Sequence, residues 1–402
     1  MNVPEFANFI IAPAGRYLGW YLGRNAVALS FASPFSKYAT RVQEVFDGAA
    51  PGAVSIVKYN QQAVPVFSYH AQFSRPSKVD NFAHKEHHAI HKILHMPPNS
   101  MPRPLMKRVS LCSVVTPVWL DPYFNAVLLR FASSEREYLF KLDAEAKSLA
   151  GSSRTLRQFA RDRLPIGNLD TVPILQNLID ALHLRGPFSN LQGREDELEL
   201  NSRIRIKGPD GRFPKEPGRQ AMLMRALLPP FVLPDIACLL VTKLKVTLTP
   251  ELFELCNEYL GDFQWLTHLI AIMQEVKIHC RMVWWKSVCG AWTTSHRLHE
   301  INQLPCVFGC TDSKDTLSHY LVCPVLWQLA REVCPNEESS SVPSRLCMNL
   351  PSKVCLLRLS IAFGIYHSIK NDAVCSLSGS PSAALVQSRA VGFAKSLAST
   401  LQ

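Results

Sequence analysis

Nowhere does the sequence offer an uninterrupted apolar run of the ~20 residues that a bilayer crossing needs. The best candidate, Leu227 to Val241, is broken by Pro229, Pro230 and Pro234. A secretory leader is not expected either. The apolar stretch Phe6 to Ala14 is short, contains Pro13, and follows Glu5 where a cationic region should stand. Cysteine is sparse, 12 in 402 residues, too thin for a disulfide scaffold. The expectation is a chain with no membrane association, in a reducing, intracellular compartment, with free or metal-bound thiols. Catalytic signatures are also missing. There is no Gly-rich phosphate loop closing on Lys, no G-x-S-x-G elbow and no H-E-x-x-H helix. No Asp-Asp pair occurs to hold the divalent ions of a polymerase or nuclease. No catalytic residue is therefore nominated.

Acid is in short supply: 32 Asp and Glu face 43 Lys and Arg, a formal charge of +11. Such a surplus favours polyanionic partners, because each neutralised phosphate releases condensed counterions. Hydrophobic residues make up 47%, which is globular. The 28 prolines exceed the average of about 5% and point to many short helices and turns. The fold class expected is mainly α, a helical multi-segment protein with a short N-terminal strand and turn piece.

Five segments follow from the local pattern. Residues 1–35 mix aromatics and glycines as strand and turn. Residues 36–185 read as helical, with one buried helix over Val54 to Phe73, another from Asp80 to the stop at Pro97-Pro98, and a third over Glu135 to Ala150. Residues 186–220, rich in Gly and Pro, read as a linker or exposed basic loop. Residues 221–335 read as a helical domain with a Cys/His element. There Thr249-Pro250 starts a helix ending at Gly261, and Asp262 caps a longer one to about Val288. Residues 336–402 read as a Ser-rich loop, a helix over Leu346 to Ile369, and a frayed tail.

The sharpest chemistry lies in Cys306-x3-Cys310-x8-His319-x3-Cys323. Three thiolates and an imidazole are a closed tetrahedral set for one structural zinc ion, with no position left for a reactive water. Gly309 lets the first turn tighten. A helix starting at Thr316 would place His319 and Cys323 four apart on one face. His296 and His299, just upstream, are the alternatives for the fourth ligand.

Three other groupings stand out. Arg281, Trp284, Trp285, Lys286, Trp292 and Arg297 interleave cations with aromatics, a pattern that holds single strands by phosphate contact and base stacking; the alternative is that at least one tryptophan is core. Residues 201–225 carry Arg203, Arg205, Lys207, Arg212, Lys215, Arg219 and Arg225 against Asp210 and Glu216, which suits a loop that tracks a nucleic-acid backbone or one that is simply solvated. His84, His88, His91 and His95 share a helical face, either as a metal site or as an amphipathic helix.

Three blocks resemble the C-terminal part of the reverse transcriptase polyprotein of LINE-type, non-LTR retrotransposons, in the divergent form found in protists such as dinoflagellates. Arg16-Tyr17-Leu18-Gly19 is similar to the K-Y-L-G segment after the polymerase palm. Val64-Pro-Val-Phe-Ser-Tyr-His-Ala-Gln72 through His91-Lys-Ile-Leu-His-Met-Pro-Pro-Asn99 is similar to the helical thumb side. Ala291-Trp-Thr-Thr-Ser-His-Arg297, the Cys/His cluster and Pro324-Val-Leu-Trp327 resemble the terminal C-x3-C-x7-H-x4-C element, with the histidine displaced by one position. The resemblance implies RNA or DNA as partner, single-stranded or element RNA, and a nuclear or cytoplasmic location. That family's aromatic-Ala-Asp-Asp motif should precede residue 15 and is absent, so the chain is expected to be a non-catalytic, truncated remnant. Two alternatives are carried beside it: the C-terminal part of an active RNA-directed DNA polymerase whose palm is encoded upstream, and a zinc-stapled protein-interaction module.

Overall fold

The computed structural model describes residues 14–17, 19–23, 26–76, 81–108, 116–134, 233–261, 264–298, 301, 304–335, 341–349, 351–372 and 383–401, with a few positions between 135 and 232. The helix expected over 135–150, the linker 186–220 and the basic stretch with Arg203, Arg205, Lys207 and Arg212 lie outside the described residues. What is described is mainly α-helical, as expected. None of its helices is long and apolar enough to cross a membrane.

The chain divides into two compact units. One comprises residues 1–48, 58–89 and 118–230; the other comprises 49–57, 90–117 and 231–402.

The first unit opens with an antiparallel hairpin, β1 (Ala14–Tyr17) and β2 (Trp20–Gly23), with Tyr17 opposite Trp20. Gly19 turns it with φ +88°, a left-handed conformation that glycine adopts without strain. The strand and turn piece is shorter than expected, because α1 (Ala26–Asp47) begins at once and runs through Pro34. Its aromatic face explains why. Phe31 and Tyr38 are buried, and Phe31 meets Phe124 edge to face at 5.8 Å. Tyr38 and Tyr59 share a hydroxyl–hydroxyl hydrogen bond of 3.0 Å.

The single helix expected over Val54 to Phe73 is instead a succession of turns of different pitch. After α2 (Gly52–Lys58) comes a π turn at Tyr59–Ala63, then 3-10 turns at Val64–Phe67 and His70–Gln72. Pro65 is the physical reason: it lacks an N–H and clashes with the preceding turn. The ladder widens so that Val64 N–H bonds Tyr59 O.

Next in the chain come α3 (Phe82–Ile93), α4 (Arg103–Arg108) and α5 (Leu120–Ser134); α4, like most of α2, belongs to the second unit. Glu86, buried on α3, accepts from Leu120 N–H and so sits at the start of α5, where a negative charge is favoured.

In the second unit α6 (Leu233–Thr247) and α7 (Pro250–Leu260) lead to α8 (Gln264–Glu275) and α9 (Ile278–Val288). Thr249 and Pro250 start α7 where expected. The long helix expected after Asp262 is broken at Val276-Lys277. Arg281 explains the break: its guanidinium donates to Gln274 O at 3.0 Å and to Val276 O at 2.9 and 3.0 Å, satisfying carbonyls left open at the end of α8.

The unit continues with α10 (Leu317–Val322), α11 (Pro324–Val333), α12 (Val342–Arg345), α13 (Lys353–Lys370) and α14 (Ala383–Leu401). Helices α9 and α13 bury residues all round, and they form the centre of this unit. The tail expected to fray is helix α14. Val386, Ala390, Ala394 and Ala398 recur every fourth residue and are buried. Their small side chains let α14 lie close against α13.

Candidate metal centre

The centre begins with a hairpin-like turn. Asp315 N–H bonds Leu304 O and Cys306 N–H bonds Ser313 O, both at 2.8 Å, so residues 304–315 fold back on themselves. Within that loop Gly309 N–H returns to Cys306 O at 3.0 Å, closing a tight turn. Gly309 adopts φ +78°, so the turn requires its missing Cβ. Phe308 N–H points at Cys306 Sγ, 3.4 Å away.

The chain then enters α10. Thr316 caps it, its hydroxyl accepting from His319 N–H at 3.1 Å. His319 therefore sits in the first turn with a fixed backbone. The sequence expectation placed Cys323 on the same helix, but α10 ends at Val322. Cys323 is the extended hinge residue between α10 and α11, with φ −56° and ψ +115°. Pro324 accounts for this, because a residue before proline is pushed out of the helical region.

The result is convergence. Sγ of Cys306, Cys310 and Cys323 and a ring nitrogen of His319 all lie within 4.8 Å of one another. Cys310 and Cys323 Sγ are 3.6 Å apart, and all three thiols are free. Cys306 and Cys323 are buried; Cys310 and His319 are half-buried. His319 Nε2 is buried with no hydrogen-bond partner. A buried ring nitrogen left unsatisfied is costly, unless something outside the protein takes its lone pair or its proton. His319 is thus the fourth member of the group. His296 is exposed and outside it, and His299 lies outside the described residues.

The thiols compete for protons. Hydrogen bonding from Cys323 holds the Cys306 thiol down at about 4, against burial and with help from His319 and the N–H groups of Phe308 and Cys310. The same contact with Cys306, followed by burial, pushes Cys323 up. Burial also raises Cys310. The contacts thus favour Cys306 as the first thiol to lose its proton, and a bound cation would draw out the others.

A buried charge supports the loop from behind. Asp315 is fully buried. Its carboxylate accepts from Ser295 N–H at 2.7 Å, Tyr366 OH at 3.1 Å and Lys370 Nζ at 2.8 Å. Burial alone would raise its pKa, but Lys370, the Ser295 N–H and Tyr320 together hold it below the usual carboxylate value. Nothing in the local spacing around Asp315 announced this role, since its partners lie far away in the chain. Trp327 adds a second brace, its Nε1–H donating to Tyr320 O at 2.8 Å.

The cation–aromatic patch is corrected by the structure. Trp284 is fully buried and donates to Leu346 O at 2.7 Å, and Trp285 is also buried. No base can stack on either without opening α9. Arg281 is spent on the carbonyls at the end of α8. Lys286 and Arg297 are half-buried. The four histidines of the 84–95 stretch do not converge: His91 Nε2 accepts from Met101 N–H at 3.2 Å, and His95 has left the helix with φ +50°.

Comparison with protein-family models, with curated proteins and with solved structures returned no match.

Proposed function

We propose that Cys306, Cys310, His319 and Cys323 hold one zinc ion in a closed structural site, in a protein that binds nucleic acid without catalysing a reaction. The carrying observation is a ring nitrogen of His319 within 4.8 Å of three free cysteine sulfurs, on a ring whose buried Nε2 has no hydrogen-bond partner. Soft thiolates with one imidazole select zinc among common cellular divalent ions. When bound, the ion supplies cross-linking energy to the loop and to the α10–α11 hinge. The protein's own residues do the rest: they preform the turn at Gly309, fix His319 through Thr316, and aim N–H groups at the sulfurs.

Nucleic acid is the partner favoured by the +11 charge and by the likeness to the retroelement polyprotein. With Trp284 and Trp285 inside, the binding proposed is backbone tracking by cations, with Arg203, Arg205, Lys207 and Arg212 as the phosphate contacts. Single-stranded RNA and DNA binding, measured by fluorescence anisotropy against salt, tests this reading. The expected result is affinity that falls steeply with salt, in a protein carrying one zinc per chain. A protein that purifies without zinc and takes up none would remove the metal assignment. Salt-independent or absent binding would remove the nucleic-acid assignment, and nuclease-insensitive capture of a protein partner would then favour an interaction module.

A further inference from the structure

The unit that carries the Cys/His group also holds a partly open cavity of about 470 Å³, which shares no residue with that group. Its wall is built by α9, by α13, and by the turns around residues 49–53 and 94–95. On α9, His279, Met282, Val283 and Lys286 fall at positions i, i+3, i+4 and i+7, one helical face, and all line the cavity. On α13, Phe363 and His367 do the same at i and i+4. His95 lines it from the turn after α3.

The chemistry of this lining is one-sided. One lysine and three histidines face the space, and no carboxylate lines it among the described residues. Lys286 is half-buried; its ammonium lies 5.8 Å from the centre of the Phe363 ring and has no acidic partner among the described residues. His367 approaches Thr293 Oγ1 through Nδ1 at 3.4 Å, while its Nε2 is buried with no hydrogen-bond partner. A half-buried cation without a counter-charge among the described residues, beside an unsatisfied ring nitrogen, is costly unless an anion joins it.

We propose that this cavity binds a small organic phosphate, its phosphoryl group on Lys286 and His367 and its apolar body against Phe363, Met282 and Val283. A phosphate monoester fits better than a carboxylate. Donors arrive from three separate elements, which suits three tetrahedral oxygens and a charge near −2, whereas a carboxylate has two oxygens in one plane. The apolar part of the lining is wasted on a bare inorganic ion. His95 and His279 stand at the exposed rim and add positive charge when protonated.

The state of the histidines agrees. Burial, then Lys286 and Lys370, holds His367 at about 4, and burial followed by Lys286 also lowers His95 and His279. These rings are neutral near pH 7 in the empty site. A bound dianion reverses the field of Lys286, so binding takes up protons and tightens as pH falls. The groups concerned are Lys286 and His279 on α9, His95 on its turn, and His367 and Lys370 on α13, with Lys370 committed to Asp315.

Calorimetric titration of the full-length protein with phenyl phosphate, inorganic phosphate and benzyl alcohol tests the proposal. Phenyl phosphate is expected to bind one to one, inorganic phosphate at least about tenfold more weakly because it leaves the apolar lining uncovered, and benzyl alcohol not at all. Lys286→Gln should lose at least about tenfold of the phenyl phosphate affinity while zinc content stays at one per chain. Should Lys286→Gln fail to fold, imidazole carbon resonances of the unmodified protein serve instead, with His367 shifting saturably on addition of phenyl phosphate. Absence of saturable binding, equal binding of benzyl alcohol, or affinity untouched in a folded Lys286→Gln would each overturn the proposal. None of these outcomes bears on the metal, whose own readout is stoichiometry.

Discussion

Replacing Asp315 by Asn removes one charge from a pocket that still holds Lys370, Tyr366 and the Ser295 N–H. Breaking a buried, hydrogen-bonded ion pair by removing one partner costs about 3–5 kcal/mol. A urea unfolding curve of Asp315→Asn should show a loss of that size, and a change below about 1 kcal/mol would mean the hub is not where the loop is held. His367 makes a pH prediction. Its folded pKa is lowered from 6.5 to about 4, so the unfolded chain takes up the proton first. Its stability contribution is therefore full above about 6.5 and is lost as pH falls toward 4, up to about 3 kcal/mol. In His367→Gln, melted with excess zinc at both ends of that window, the acid limb should flatten. An unchanged limb would assign the acid sensitivity elsewhere. His319→Ala and Cys306→Ser should each lower zinc content below one per chain, while His296→Ala should leave it at one.

At the scale of elements, two close approaches carry predictions. Gly309 turns the loop in a left-handed conformation that costs an L-residue about 1–2 kcal/mol, so Gly309→Ala should weaken zinc retention against a chelator by roughly tenfold. Retention equal to the unaltered protein would show that the turn tolerates a Cβ. On α13, a methyl on Gly364 would stand 2.5 Å from Leu397 Cδ1 of α14. Gly364→Ala should lower the midpoint of thermal unfolding through a cost of about 1–3 kcal/mol, unless Leu397 swings aside. These elements also show what a sequence discloses. Thr249-Pro250 and Pro324 announce helix starts because a cap and a proline act locally. The break between α8 and α9 was hidden, since it depends on Arg281 reaching back to carbonyls five and seven residues away. The packing of α14 was hidden as well: an Ala and Ser-rich stretch reads as weak until a partner helix with a glycine is beside it. The Cys/His group was legible because metal ligation demands both residue type and spacing, whereas Asp315 draws on partners 20, 51 and 55 residues away. Trp284 and Trp285 misled for the reason adjacent aromatics often do: composition is silent on which face a helix turns inward.

For the whole molecule, charge sets the expectation. If Arg203, Arg205, Lys207 and Arg212 each neutralise one phosphate of a single strand, changing all four to Gln should reduce the slope of log affinity against log salt by about 0.7 per contact. A slope left as it was would move the contacts to other cations. The placement of Asp315 has a last consequence, for where the chain can be cut. A short metal-binding loop whose candidate ligands lie within 18 residues would be expected to be portable. Here the loop's buried carboxylate draws Tyr366 and Lys370 from α13, more than 40 residues beyond Cys323. A fragment closing soon after α11 would carry all four Cys/His residues and still deprive the Asp315 carboxylate of two of its three partners. A piece that keeps the Asp315 network intact therefore has to run through Lys370.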